Sequence, residues 1–157
     1  MSARRKARKR ALDVLFAADI RGVDIADVLA DEQSRRHDDP KRFTDTDYAT
    51  ELLRGVIDHV HTIDAALRAV ATDWPLERLA TVDRAILRIG VFELNWRDDI
   101  PTAVAVSEAG ELAAELSTDD SRSFVQGVLG AVAKNLPLTD VEKPEPAAES
   151  SDTAVEE

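Results

Sequence analysis

Between Thr81 and Leu94 the apolar residues Ala85, Ile86, Leu87, Ile89, Val91, Phe92 and Leu94 fall on almost every side of a helix. A helix that is apolar all round has to be enclosed, so this segment predicts the centre of a core with other helices packed around it. Arg84 and Arg88, four apart on the same segment, cannot be buried without a partner. They must reach solvent, an acid inside the fold or another molecule, an internal ion pair being the plainest outcome.

The flanking sequence supplies the enclosing helices. Residues 4–20 contain no Gly or Pro, and Ala7, Ala11, Val14, Leu15 and Ala18 recur at helical spacing up to Gly22. Asp24 is a candidate cap for a second helix carrying Ile25, Val28 and Leu29, followed by a polar loop from Arg35 to Arg42. Thr44 and Asp47 have capping-box spacing ahead of a third helix with Tyr48, Leu52, Val56 and Val60. A further segment with Ile63, Leu67 and Val70 runs to Trp74-Pro75, where the proline restricts its predecessor and closes the first layer. Pro101 suits a first helical position before Val104, Ala105, Ala109, Leu112 and Leu116. Ser117 or Thr118 caps the last helix, whose stripe is Phe124, Val125, Val128, Leu129 and Val132. No strand alternation or internal repeat is present. The expectation is an all-α bundle over residues 1–137, divided near Pro75 into 1–75 and 76–137, with a disordered acidic tail over 138–157.

Charge is segregated along this frame. The formal net charge is -11, yet Arg4, Arg5, Lys6, Arg8, Lys9 and Arg10 give the first ten residues +6 with no acid among them, whereas Asp140 to Glu157 carries -6. A dense cationic block on a helix N-terminus is suited to phosphate contact. From charge alone, a merely solvated face is an equal alternative. A membrane-surface helix is disfavoured because the apolar side of this segment is alanine-rich and lacks bulky anchors. No apolar run approaches the roughly 20 residues that cross a bilayer.

Enzymatic chemistry finds no support in the residues. There is no cysteine, glycine-rich phosphate loop, GxSxG elbow or HExxH pair. His59 and His61 are two apart and so point about 200° away from each other on a helix, unable to share a metal. No cofactor or metal is expected. Phe124, beside Ser121, Arg122 and Ser123, either stacks on a base or fills the core.

Four blocks, ARRKARKRALDVLFAAD, VDRAILRIGVFEL, IPTAVAVSEAGELA and STDDSRSFVQGVLGAV, occur in this order over about residues 3–134. Together they resemble the NusB family. The resemblance implies about seven helices, three in an N-terminal subdomain and four in a C-terminal one. It implies a cytoplasmic transcription antitermination factor that binds the boxA element of nascent ribosomal RNA leaders jointly with the small-subunit ribosomal protein NusE. In that role RNA polymerase, with other Nus factors, passes terminators. It also implies an RNA surface of Arg4, Arg5, Lys6, Arg8, Lys9, Asp120 and Phe124, and a ribosomal-protein surface at or near Asp83, Arg84 and Arg88. Both monomers and homodimers are compatible with it. A protein-interaction adaptor with incidental RNA contact is the competing reading. Three positions depart from the family pattern: Ser107 and Gln126 replace Asn, and Gly110 replaces a branched apolar residue.

Overall fold

The structure is a computed structural model and describes residues 2–35 and 47–143. Its helices are α1 (Ala3–Arg21), α2 (Ile25–Ser34), α3 (Tyr48–Val70), α4 (Thr81–Trp96), α5 (Thr102–Leu116) and α6 (Asp119–Ala133), with a 3-10 turn at Leu76–Arg78 between α3 and α4. The described residues are therefore all-helical, without strands.

α4 occupies the centre expected of it. It packs on α1, α3, α5 and α6, and Ile86, Leu87, Ile89, Val91 and Phe92 are all buried. Full burial of such a side chain contributes about 1.5–3 kcal/mol. Helix directions follow from the residues that meet. Arg8 reaches Glu93 while Asp19 reaches Arg84, so α1 runs antiparallel to α4. Ser121 bonds Asp83, and Leu129 lies over Gly90, so α6 runs parallel to it. One apolar cluster draws on α1 to α6 and crosses the Trp74-Pro75 boundary.

Local details refine the sequence expectations. The two segments expected between Tyr48 and Val70 are one helix of 23 residues. The change from spacings of four to the Val60–Ile63 step is the ordinary three-and-four alternation of a single apolar face, not a break. Thr44 lies outside the described residues, and Asp47 itself caps α3 by accepting from the Ala49 amide at 3.2 Å. Thr118 caps α6 by accepting from the Ser121 amide at 3.2 Å. Pro101 stands at the N-cap of α5, one position before the one expected for it. Gly22 ends α1 at φ 65°, a left-handed conformation that favours glycine. Past α6, the Leu138 amide donates to Asn95 Oδ1 at 3.0 Å and the Val141 amide to Thr62 Oγ1 at 2.9 Å. These bonds tie the start of the acidic segment to α4 and α3; residues 144–157 lie outside the described residues.

Candidate nucleic-acid interface

α1 begins with Ser2 as its cap, the hydroxyl accepting from the Arg5 amide at 3.1 Å. The six basic side chains that follow are sorted by the acids that tertiary packing brings to them. Arg8 is the exception to the expected RNA surface: it is 3% exposed. It donates through Nε and Nη2 to Glu93 at 2.7 and 2.8 Å. The Tyr48 hydroxyl donates to Glu93 Oε2 at 2.8 Å. Arg8 sits at the edge of the Ala7–Ala11–Leu15 stripe, so the face that enters the core takes its guanidinium along. A buried cation then requires the buried carboxylate.

The others remain at the surface. Arg4 bonds Asp99 at 2.9 Å and stacks over the Tyr48 ring at 4.6 Å from its centroid. Arg5 grips Glu108 with two bonds of 2.8 and 2.9 Å. Lys9 pairs with Glu115, and Arg10 bonds Asp47 at 2.8 Å. Lys6 is exposed and has no ionic partner among the described residues. The basic tip is thus held in place by acids from α5, from the α4–α5 turn and from the N-cap of α3. These pairs are solvent-accessible and individually weak, so phosphates can replace the acids at modest cost. Hydrogen bonds from Arg97 and Arg4 hold the exposed Asp99 carboxyl down at about 2. The bond from Arg5 lowers that of Glu108. Burial, followed by the neighbouring Glu93 carboxylate, keeps the Tyr48 phenol above its ordinary range.

Arg97 belongs to this cluster although nothing in the basic block pointed to it. It donates to Asp99 with two bonds of 3.0 Å and to Glu51 at 2.7 Å, and it lies over Tyr48 at 5.2 Å. A single cation in an acidic turn has no readable spacing; only the fold places it beside Arg4.

Asp120 and Phe124 are on α6, beyond the far end of α5. Lys9 touches Glu115, and the Ser117 hydroxyl is 3.1 Å from that of Ser121, so a chain of contacts connects the basic tip to the start of α6. Asp120 is exposed and Phe124 is half-buried against the core. Both readings of Phe124 are therefore partly met: one side packs, the other lines a surface cleft with Trp74.

The three residues expected near a protein partner have internal partners. Arg88 holds Asp64 with bonds of 2.9 and 3.0 Å. Arg84 pairs with Asp19 and donates to the Leu76 carbonyl at 3.1 Å. Asp83 is 8% exposed and accepts from Ser121 at 3.0 Å. Near the Arg84–Asp19 pair, however, Phe16, Ile20 and Val23 are 40%, 64% and 39% exposed. Their signal was legible, since neither Phe16 nor Ile20 falls on the alanine-rich stripe. Arg5, Lys9, Phe16 and Ile20 lie within about 60° of one another around α1, forming one outward stripe that is basic in its first half and apolar in its second.

The described residues thus place exposed cations and an exposed apolar patch along one face of α1, inside an all-helical fold. The model of the NusB family matches residues 5–134, and the chain belongs to that family. It is 52% identical over 137 residues, covering 87% of this chain and 95% of the relative, to the transcription antitermination protein NusB of Leifsonia xyli subsp. xyli. It is 44% identical over 137 residues to the protein of the same name from Streptomyces avermitilis, with 87% and 95% covered. Among solved structures, it is similar to T. maritima NusB, with a TM-score of 0.69, 28% identity and coverage of 85% of this chain and 92% of that one. It is also similar to a chain in the complex of antitermination factors NusB and NusE with dsRNA. That likeness has a TM-score of 0.71 and 26% identity, and covers 86% and 98% of the two chains. Membership of this family makes the chain a non-enzymatic binding protein.

Proposed function

We propose that this protein is a transcription antitermination factor that binds the boxA element of nascent ribosomal RNA leaders together with the ribosomal protein NusE, within a complex of other Nus factors that carries RNA polymerase past terminators in the cytoplasm. The observation that carries this reading is the outward stripe of α1. Arg5 and Lys9, flanked by Arg4 and Lys6, supply phosphate contacts. About two to three turns beyond Lys9, Phe16 and Ile20 supply an exposed apolar patch of the kind that protein partners cover. RNA and protein would then lie side by side along one rigid helix. The similar complex of NusB and NusE with dsRNA supports the pairing of partners.

In this reading Asp120 and Phe124 extend the RNA surface, and Arg84 borders the protein surface. Asp83 and Arg88, held internally, shape that region without reaching across to the partner. The test is fluorescence anisotropy of a boxA RNA and a scrambled RNA, with and without NusE, at two salt concentrations. Preference for boxA that sharpens with NusE is the expected result. Equal affinity for both RNAs, with NusE still bound, would favour the adaptor reading.

A further inference from the structure

We propose that Glu108 and Glu115 on α5 are a built-in competitor for RNA: their carboxylates occupy the positions that phosphates take on Arg5 and Lys9, so the protein without RNA is partly autoinhibited and removing these charges tightens RNA binding. This rests on the RNA-binding reading above and concerns what limits the affinity of that surface.

Five of the six cations of the basic block each face a carboxylate. Arg4 meets Asp99, Arg5 meets Glu108, Arg8 meets Glu93, Lys9 meets Glu115 and Arg10 meets Asp47. Lys6 alone has no ionic partner among the described residues. The strong cationic field that the sequence implies is therefore largely cancelled within the fold.

The acids on α5 are arranged along the basic face. Glu108, Glu111 and Glu115 follow helical spacing and share one stripe. α4 packs on both α1 and α5. Arg5 and Lys9 reach Glu108 and Glu115 in the same order along their helices, so the acidic stripe runs beside the basic one in the same direction. Glu111 instead pairs with Arg122 at 3.3 Å.

Such acids can either support the cations for RNA or compete with it, and burial separates the two roles. Arg8 is enclosed and requires Glu93. By contrast, the side chains of Arg5 and Glu108 are 33% and 21% exposed, and those of Lys9 and Glu115 are 25% and 48% exposed. Water reaches all four, so neither cation needs its acid in order to stay charged. Bonding geometry points the same way. Arg5 gives Nε and Nη2 to the two oxygens of Glu108 at 2.8 and 2.9 Å, which is the forked edge that a guanidinium offers to a phosphate. A phosphate cannot share that edge and must displace the carboxylate. Because phosphate contacts carry no sequence information, the competition lowers the affinity for every RNA by the same factor. Only an RNA with further contacts to its bases then binds well.

The experiment uses the full chain with Glu115→Gln, Glu108→Gln and both together, titrated by anisotropy against boxA RNA and scrambled RNA at 50 and 200 mM salt. Each single replacement should tighten both RNAs by about 1.5- to 5-fold and the double one by roughly 2- to 30-fold, with less gain at the higher salt. Asp58→Asn is the control for net charge. This exposed acid lies on α3, about 15 Å along the helix from Tyr48, and its replacement should gain less than either single variant. Thermal melts report whether the variants fold. Glu108 also lies 3.9 Å from Arg8 Nη1, so Glu115→Gln, in the more exposed pair, carries the test if Glu108→Gln is unstable. Unchanged or weakened RNA affinity in folded variants would overturn the proposal and make the acids supports of the cations. An equal gain from Asp58→Asn would overturn it in favour of net charge alone. Binding of neither RNA by the native chain or the double variant would overturn the RNA reading as well.

Discussion

Arg8 and Glu93, 85 residues apart in sequence, form a two-bond ion pair of 2.7 and 2.8 Å inside the fold, with only 4% and 2% of their side chains exposed. Removing one member leaves the other charged and dry. Glu93→Ala should cost about 3–5 kcal/mol of stability, whereas the double replacement Arg8→Met with Glu93→Leu should recover most of it. Chemical denaturation of the two variants and the native chain makes the comparison. If Arg8 acts through RNA contact, stability will instead be insensitive to Glu93→Ala.

The phosphate-facing set is smaller than the basic block. With Arg4, Arg5, Lys6 and Lys9 engaged and Arg8 withdrawn, log affinity against log salt for single-stranded RNA should have a slope of about -3, a loss of roughly 50-fold between 50 and 200 mM. Lys6→Ala should reduce that slope by about 0.7 without changing the preference among sequences.

Phe16→Asp and Ile20→Asp place charge on the apolar half of the α1 stripe, where the native side chains are 40% and 64% exposed. Both variants should fold, lose NusE binding by tenfold or more and keep the RNA salt slope of the isolated protein. An order of magnitude corresponds to about 1.4 kcal/mol, well within the cost of burying a charge at an interface. Retained NusE affinity would move the docking surface away from this patch.

Acid should loosen the basic tip. Asp99, held at about 2 by Arg97 and Arg4, and Glu108, lowered by Arg5, have folded-state values below their unfolded ones. Between those values the unfolded chain binds more protons, so the contribution is complete above the ordinary carboxylate range and is lost as pH falls through about 4 toward 2. Thermal unfolding at pH 6, 4 and 3 should show falling stability, and Asp99→Asn should flatten part of that fall.

Two glycines at helix contacts should respond differently to alanine. A Cβ at Gly55 would meet the Phe92 ring at 2.1 Å, whereas one at Gly110 would meet the amide end of Gln126 at 2.3 Å. The ring is packed in the core and the amide can swing away. Gly55→Ala should cost about 1–3 kcal/mol, while Gly110→Ala should stay within about 1 kcal/mol of the native chain. Thermal melts decide this. The contact also explains why the departures at 110 and 126 occur together: Gln126 covers the space left by the missing side chain.

Much of this architecture was readable from local pattern. The helix of Ala3–Arg21 and its stop at Gly22, a cap at Ser117 or Thr118 and the all-round apolar character of α4 depend on residues within a few positions of each other. Backbone hydrogen bonding and capping are local interactions, so spacing suffices to specify them. Phe16 and Ile20 are apolar residues off the alanine-rich stripe of α1, a signal the sequence expectations did not use. The continuity of α3 was less plain, because a three-residue step within an apolar face looks the same as the start of a new helix.

What the linear order of residues could not decide was the use of six similar cations in one block. Arg5, Arg8 and Lys9 differ because Glu108, Glu93 and Glu115, from 85 to 106 positions away, meet them in three different environments. The cleft of Trp74, Asp83 and Phe124 has the same origin, since it joins a turn and two helices. A helix fixes only the angle at which each side chain leaves it; burial, charge partner and exposed face depend on what the rest of the chain packs against that angle, and this belongs to tertiary structure alone.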